Sequence, residues 1–304
     1  MNSPRTPLLN RLNAIDRFLF PLAALVSLVL IHLVPDVLSL TTQLALLGIV
    51  IVLLGLPHGA LDPWIAENIG IQNTRRQVLL LTISYLAIAV LVVCVWYWLP
   101  VLSLLIFLVI SAWHFSGDWK NNIQQPLRIC AGALLLLMPI GFHTEIVRTI
   151  FEQLSGESGG NLAYALALPG WLLVGAVVLL SGWAAFKQQW KTTLEFLTLL
   201  TLAFLTTPLV YFTLYFCLLH SPRHLLGLFS EAPVVQHPRL LKMMFVYTLA
   251  TLLLVSVLWW FWSDLPADTL ILRLIFISLA AVTVPHMILI AMAYLVKNRS
   301  APSV

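Results

Sequence analysis

The sequence predicts an all-α, polytopic membrane fold of about ten helices, on two observations and one constraint. Apolar residues make up 61% of the chain and charged residues 9%, too few charges to cover the surface that a soluble protein of 304 residues presents to water. The apolar residues also fall in runs that recur from Phe18 to Val296, close to the roughly 20 residues a helix needs to cross the hydrocarbon core. Lipid offers no partner to an open sheet edge, so each run must satisfy its backbone internally, as a helix.

Taken in order, the spans fall at 18–34, 41–56, 77–98, 100–116, 127–142, 169–186, 192–206, 208–228, 241–262 and 269–296. A short arm, 1–17, precedes the first span, which is polar-flanked and has no small-residue cleavage site before a soluble body, so it reads as a retained helix rather than a signal peptide. Between the fifth and sixth spans, residues 143–169 carry Ser155, Gly156, Gly159 and Gly160 and read as a loop with an amphipathic helix before the glycines. The seventh span is short enough to be re-entrant. The whole of 18–296 is one catalytic transmembrane domain with a tail at 297–304, and Cys94, Cys130 and Cys217, lacking CxxC spacing, read as small core residues.

A net charge of +4 does not call for nucleic acid here, because lysine and arginine gather on cytoplasmic loops and the expected surroundings are a lipid bilayer. With the N-terminus inside, Arg5, Arg11, Arg17, Arg75, Arg76, Lys120, Arg128, Lys187, Lys191, Arg223, Arg239, Lys242, Lys297 and Arg299 fall on or near the cytoplasmic side. Only Arg148 and Arg273 do not. Asp36, Glu145, Glu152, Glu157, Asp264 and Asp268 collect in the opposite loops. Both termini are therefore expected in the cytoplasm.

Three polar clusters interrupt the apolar pattern: GLPHGALD with His58 and Asp62, SAWHFSGD with His114 and Asp118, and LLHSPRH with His220 and His224. At a spacing of four residues, each pair projects to one helix face. All three sit at the cytoplasmic ends of spans that run the same way, so four imidazoles from three helices are expected at one depth. Ionisable groups in a membrane are expensive and mark sites, and neutral imidazole is a common ligand for iron, copper and zinc. An uncharged all-nitrogen shell suits a ferrous ion with open positions better than structural zinc. Asp62 and Asp118 are placed to accept a ring N–H from outside that shell, and they read equally as solvated carboxylates or partners of Arg223. Pro222 would kink the eighth span and turn both of its histidines inward.

The plain alternative is four independent interfacial histidines, the reading given to His143 and His237. His32 reads as hydrogen-bonded to a neighbouring helix, and His286 either lines a pocket or is a satisfied core residue. Trp64, Trp113, Phe115, Tyr211, Tyr215 and Phe216 flank the clusters and suit a flat hydrophobic ligand, with Trp113 and Tyr215 the leading candidates for a pocket wall. A di-iron desaturase or hydroxylase would need more ligands, in HxxHH boxes that are absent. A bis-histidine haem protein and a proton-relaying transporter remain open on these residues.

In LPHGALD, WHFSGD and LHSPRH, in that order, the chain resembles the Brp/Blh family of bacterial and archaeal membrane β-carotene 15,15'-dioxygenases. The resemblance implies cleavage of the central double bond of β-carotene by O2 at a non-haem Fe(2+), giving two all-trans-retinal, with a microbial rhodopsin as a recipient. It makes His58, His114, His220 and His224 the iron ligands. Such an enzyme needs no general base, in keeping with the lack of a Ser/His/Asp triad.

Overall fold

The computed structural model describes residues 7–33, 40–120 and 122–299, with the side chains of 7–17, His32 and 297–299 left out. Every element among them is helical. The chain runs through α1 (Pro7–Leu33), α2 (Leu40–Val50), α3 (Asp62–Asn68), α4 (Arg75–Trp98), α5 (Pro100–Ser116) and α6 (Gln125–Phe142). It continues through α7 (Thr144–Ser155), α8 (Glu157–Phe186), α9 (Trp190–Leu205), α10 (Pro208–Tyr215), α11 (Ser221–Glu231), α12 (His237–Phe261) and α13 (Ala267–Arg299). Of the predicted arm, 7–17 belong to α1, and 1–6 lie outside the described residues, as do Asp36 and 300–304 of the tail.

All-α membrane architecture is shown, while length and apolarity support fewer crossing helices than the ten expected. Seven helices among the described residues are long and apolar enough to cross a membrane: Leu40–Asn68, Arg75–Trp98, Pro100–Trp119, Gln125–Phe142, Glu157–Phe186, Val234–Phe261 and Ala267–Val296. Among the described residues, the first predicted span contains a shorter apolar stretch, Phe18–Ile31, and the seventh is α9, of 16 residues. The eighth is divided into α10, a π-helical turn at Phe216–His220, and α11. Here the polar residues of the site replace apolar length. Apolar side chains such as Leu79, Val90, Leu179, Phe245 and Trp260 remain exposed around the bundle, as expected where lipid replaces water at the surface. Cys94 and Cys130 are exposed as well, whereas Cys217 is in the core. In lipid the outside of a bundle is as hospitable to a small apolar residue as its interior.

The predicted loop at 143–169 is also corrected. Val147, Ile150, Phe151 and Leu154 form the buried stripe of the amphipathic α7, Gly156 turns the chain with a φ of 81°, and α8 then begins at once. Gly159 and Gly160 belong to its first turns. Their absent side chains serve close approach rather than loop flexibility: a Cβ on Gly159 would lie 1.8 Å from Ser155 Oγ.

Small residues likewise set the spacing of the helices that present the site. At Gly170 an added Cβ would meet the Leu137 carbonyl oxygen of α6 at 2.4 Å, and at Gly132 it would meet the Ala112 carbonyl oxygen of α5 at 2.0 Å. Because the obstacle at Gly132 is backbone, Gly132→Ala should force α5 away and destabilise the protein by at least the ~1–3 kcal/mol typical of overpacking. Thermal unfolding in detergent would read this, and an unchanged midpoint would refute it.

Two departures from α-helix shape the site. Between α2 and α3 the chain passes through a π turn, Ile51–Gly55, and a 3-10 turn, Leu56–Leu61. Pro57 stands at the start of the latter, where its missing N–H removes one link of the regular ladder. On the other segment, Pro222 sits at the start of α11, directly after a π turn. That position tolerates proline, so the expected kink takes the form of a change in helix type at the histidines.

Candidate metal centre

Five imidazoles converge inside the bundle. The ring centroid of His58 lies 6.3 Å from His114, 5.2 Å from His220, 5.6 Å from His224 and 5.6 Å from His286. His114 lies 4.7 Å from His220 and 5.3 Å from His286, and His224 lies 5.5 Å from His286. The four histidines expected together do come together, and His286 of α13 joins them.

Hydrogen bonds on the outer edge set which nitrogen faces inward for three of the rings, His58, His220 and His286. His58 Nδ1 lies 2.5 Å from the Gly55 carbonyl oxygen, an acceptor, so Nδ1 carries the proton and Nε2 keeps its lone pair. His220 Nδ1 lies 3.1 Å and 3.2 Å from the two carboxylate oxygens of Asp118. His286 Nδ1 lies 2.6 Å from Asp62 Oδ1. The Nε2 atoms of His220, His224 and His286 are buried and have no hydrogen-bond partner. Buried polar atoms are ordinarily paired, so three orphaned nitrogens in one cluster point to something that binds them. The ligand atoms of His58, His114 and His286 lie within 4.8 Å of one another, a spacing open to a shared ion.

The two aspartates are built alike, and neither serves the histidine four residues before it. Asp62 is 3% exposed and accepts from Tyr85 Oη at 2.9 Å as well as from His286. Asp118 accepts from Tyr215 Oη at 2.5 Å as well as from His220. Each carboxylate reaches across to another helix because i,i+4 neighbours stand side by side on one face and both point at the helices opposite. Asp62 is therefore not a solvated loop group. Arg223 donates to the Asp118 main-chain carbonyl at 3.0 Å and to Glu195 Oε1 at 2.6 Å.

Glu195 escaped the sequence reading. It is 2% exposed on α9, and its other oxygen accepts from Trp119 Nε1 at 3.0 Å, so one carboxylate ties Arg223 to the turn that follows His114. The signal that could have found it was present: an ionisable residue inside the predicted span 192–206, in its first turn.

A small cavity borders the cluster, lined by His58, His114, Phe107, Ser111, Phe115, Phe212, Phe216, Leu279 and Thr283, with about 20 Å³ open to the centre of a water-sized molecule. That suffices for one such molecule. The residues expected as pocket walls do not line this cavity. Trp113 is 50% exposed on the outside of the bundle, two residues and about half a turn from the buried Phe115. Tyr215 is fully buried but spends its hydroxyl on Asp118. His286 borders the histidine cluster rather than this cavity. His143 and His237 bond to main-chain carbonyls at Ala203 and Phe229, apart from the centre, and the side chain of His32 lies outside the described residues.

Fold and site together define an α-helical membrane protein with a polyhistidine centre enclosed by its helices. The chain belongs to the β-carotene 15,15'-dioxygenase family, whose model matches residues 49–294. A β-carotene 15,15'-dioxygenase from an uncultured marine bacterium, 66A03, is 31% identical over 253 residues, covering 79% of this chain and 90% of that relative. No solved structure matches.

Proposed function

We propose that this protein cleaves the central 15,15' double bond of β-carotene with dioxygen, at one ferrous ion held by His58, His114, His220 and His224. The observation that carries the reading is the clustering of these imidazole rings at centroid distances of 4.7–6.3 Å, with the Nε2 atoms of His220 and His224 buried and unpartnered, in a chain whose family is named for this reaction. Each carbon of the broken bond takes one oxygen atom, so the products are two molecules of all-trans-retinal and both atoms of O2 are accounted for. A microbial rhodopsin is a fitting recipient.

Ferrous iron, when bound, supplies the activation of O2 beside an electron-rich polyene. The protein's own residues supply the rest. Asp118 and Asp62 hold His220 and His286 in the tautomer that turns Nε2 inward. The aromatic walls at Phe107, Phe115, Phe212 and Phe216 keep bulk water from the centre and offer flat apolar surfaces to a polyene. The cavity holds a molecule the size of O2 but not a carotenoid, so substrate entry requires these walls to part. The stacked pair Phe212 and Phe216, 5.5 Å apart, is the side that faces His58.

The direct test is expression in cells that accumulate β-carotene, where loss of colour should accompany the appearance of retinal. Retained colour with well-expressed protein would defeat the proposal. An iron-containing preparation without a Soret band would separate it from a haem protein.

The bias of basic residues further supports placement in the cytoplasmic membrane with both termini inside. Reporters fused after Arg76 and after Lys191 should signal cytoplasm, and one fused near Gly159 should signal the outside. Reversed signals would invert the orientation.

A further inference from the structure

The cluster contains one imidazole more than the four that the proposed iron site uses. His286 is 2% exposed. Its Nδ1 lies 2.6 Å from Asp62 Oδ1, so the ring donates there and its Nε2 lone pair faces inward, buried and without a partner. Its ring centroid stands 5.6 Å from His58, 5.3 Å from His114 and 5.5 Å from His224. Its ligand atom forms with those of His58 and His114 a group within 4.8 Å.

The support behind His286 repeats the support behind His220. In both, a buried aspartate accepts the ring N–H, and a tyrosine hydroxyl from another helix holds the aspartate: Tyr215 on Asp118 at 2.5 Å, and Tyr85 on Asp62 at 2.9 Å. Tyr85 is anchored in turn, lying 3.1 Å from the Val282 carbonyl oxygen one turn before His286. A carboxylate that fixes a ring tautomer and makes the far nitrogen more basic is the usual companion of a metal-bound histidine. A core histidine with no further task would instead have both nitrogens paired.

We propose that His286 is a fifth nitrogen ligand to the metal, a reading that rests on the iron site proposed above and deepens it. His286 would then hold the ion together with the other imidazoles and would leave less of it open to further ligands than four histidines would.

Coordination number can be read without turnover. The purified protein is stripped of iron, titrated with Co(2+), and its visible absorption recorded, because ligand-field bands strengthen as coordination number falls. His286→Ala should lower Co(2+) affinity by more than the roughly 10–100-fold that loss of an outer partner costs and should raise band intensity, and added imidazole should return the spectrum to the wild-type form. His286→Gln, which keeps volume and can still donate to Asp62, should change the spectrum in the same direction and covers the case in which the alanine variant does not fold. Wild-type affinity and spectrum in His286→Gln, with His58→Ala losing the ion, would overturn the fifth ligand and leave the four-histidine site standing. Co(2+) retained at full affinity by His58→Ala would bring down the iron site itself.

Discussion

Alanine at His58, His114, His220 or His224 should abolish retinal formation and strip most of the iron from the purified protein, while leaving the metal-free protein about as stable as metal-free wild type. The two halves of this expectation have different causes. Activity falls because each ring supplies one of the nitrogens that would hold the ion, and the cavity beside them offers no further nitrogen, only apolar walls such as Phe107, Phe115 and Leu279 and the hydroxyls of Ser111 and Thr283. Stability is held because the apoprotein already bears the cost of unpartnered buried nitrogens, as at His220 and His224. Each costs on the order of 1–3 kcal/mol, so removing one offsets much of the loss of packing. Iron content, retinal yield and thermal unfolding without metal should be measured on the same preparations. Four variants that all keep full activity would show that the site lies elsewhere.

Asp118→Asn should lower activity by roughly 10–100-fold with a parallel loss of iron affinity, the scale seen when a carboxylate behind a metal-bound histidine is changed. The carboxylate accepts from both His220 Nδ1 and Tyr215 Oη. Asparagine offers one accepting oxygen and turns a donor toward the other partner, so one bond is lost and the negative charge with it. Tyr215→Phe removes only the hydroxyl and should cost less than Asp118→Asn. Asp62→Asn should resemble Asp118→Asn, acting through His286 instead of His220. If Asp118→Asn left iron affinity unchanged while Tyr215→Phe abolished activity, the aspartate would not be acting through its histidine.

Much of the centre was legible in the sequence, and the portion that was not has a common character. His58, His114, His220 and His224 announced themselves because each stands four residues from another polar group inside an apolar run. His286 stands alone in VTVPHMILI, and the one residue that explains it, Asp62, is 224 positions away. Glu195 was visible as a lone charge in a short apolar run, but its partners Arg223 and Trp119 come from separate elements. Trp113 was the preferred pocket wall and Phe115 a lesser candidate, and only the rotation of α5 about its axis turns the first outward and the second in. Gly159 and Gly160 suggested a loop because glycine frees the backbone, whereas here its missing side chain lets neighbouring atoms approach.

The sequence by itself determined the helical membrane class, since composition and run length depend on no partner, and it determined that four imidazoles lie at one level, since run boundaries and spacing place each along its own helix. Only the tertiary structure decided which aspartate holds which histidine, that a fifth imidazole joins the centre, and which aromatics wall the cavity. Those depend on how each helix is turned and which helices are neighbours. Linear spacing constrains neither, because helices in lipid pack through small surface differences, such as Gly132 against Ala112 and Gly170 against Leu137, rather than through a contrast between apolar and polar faces.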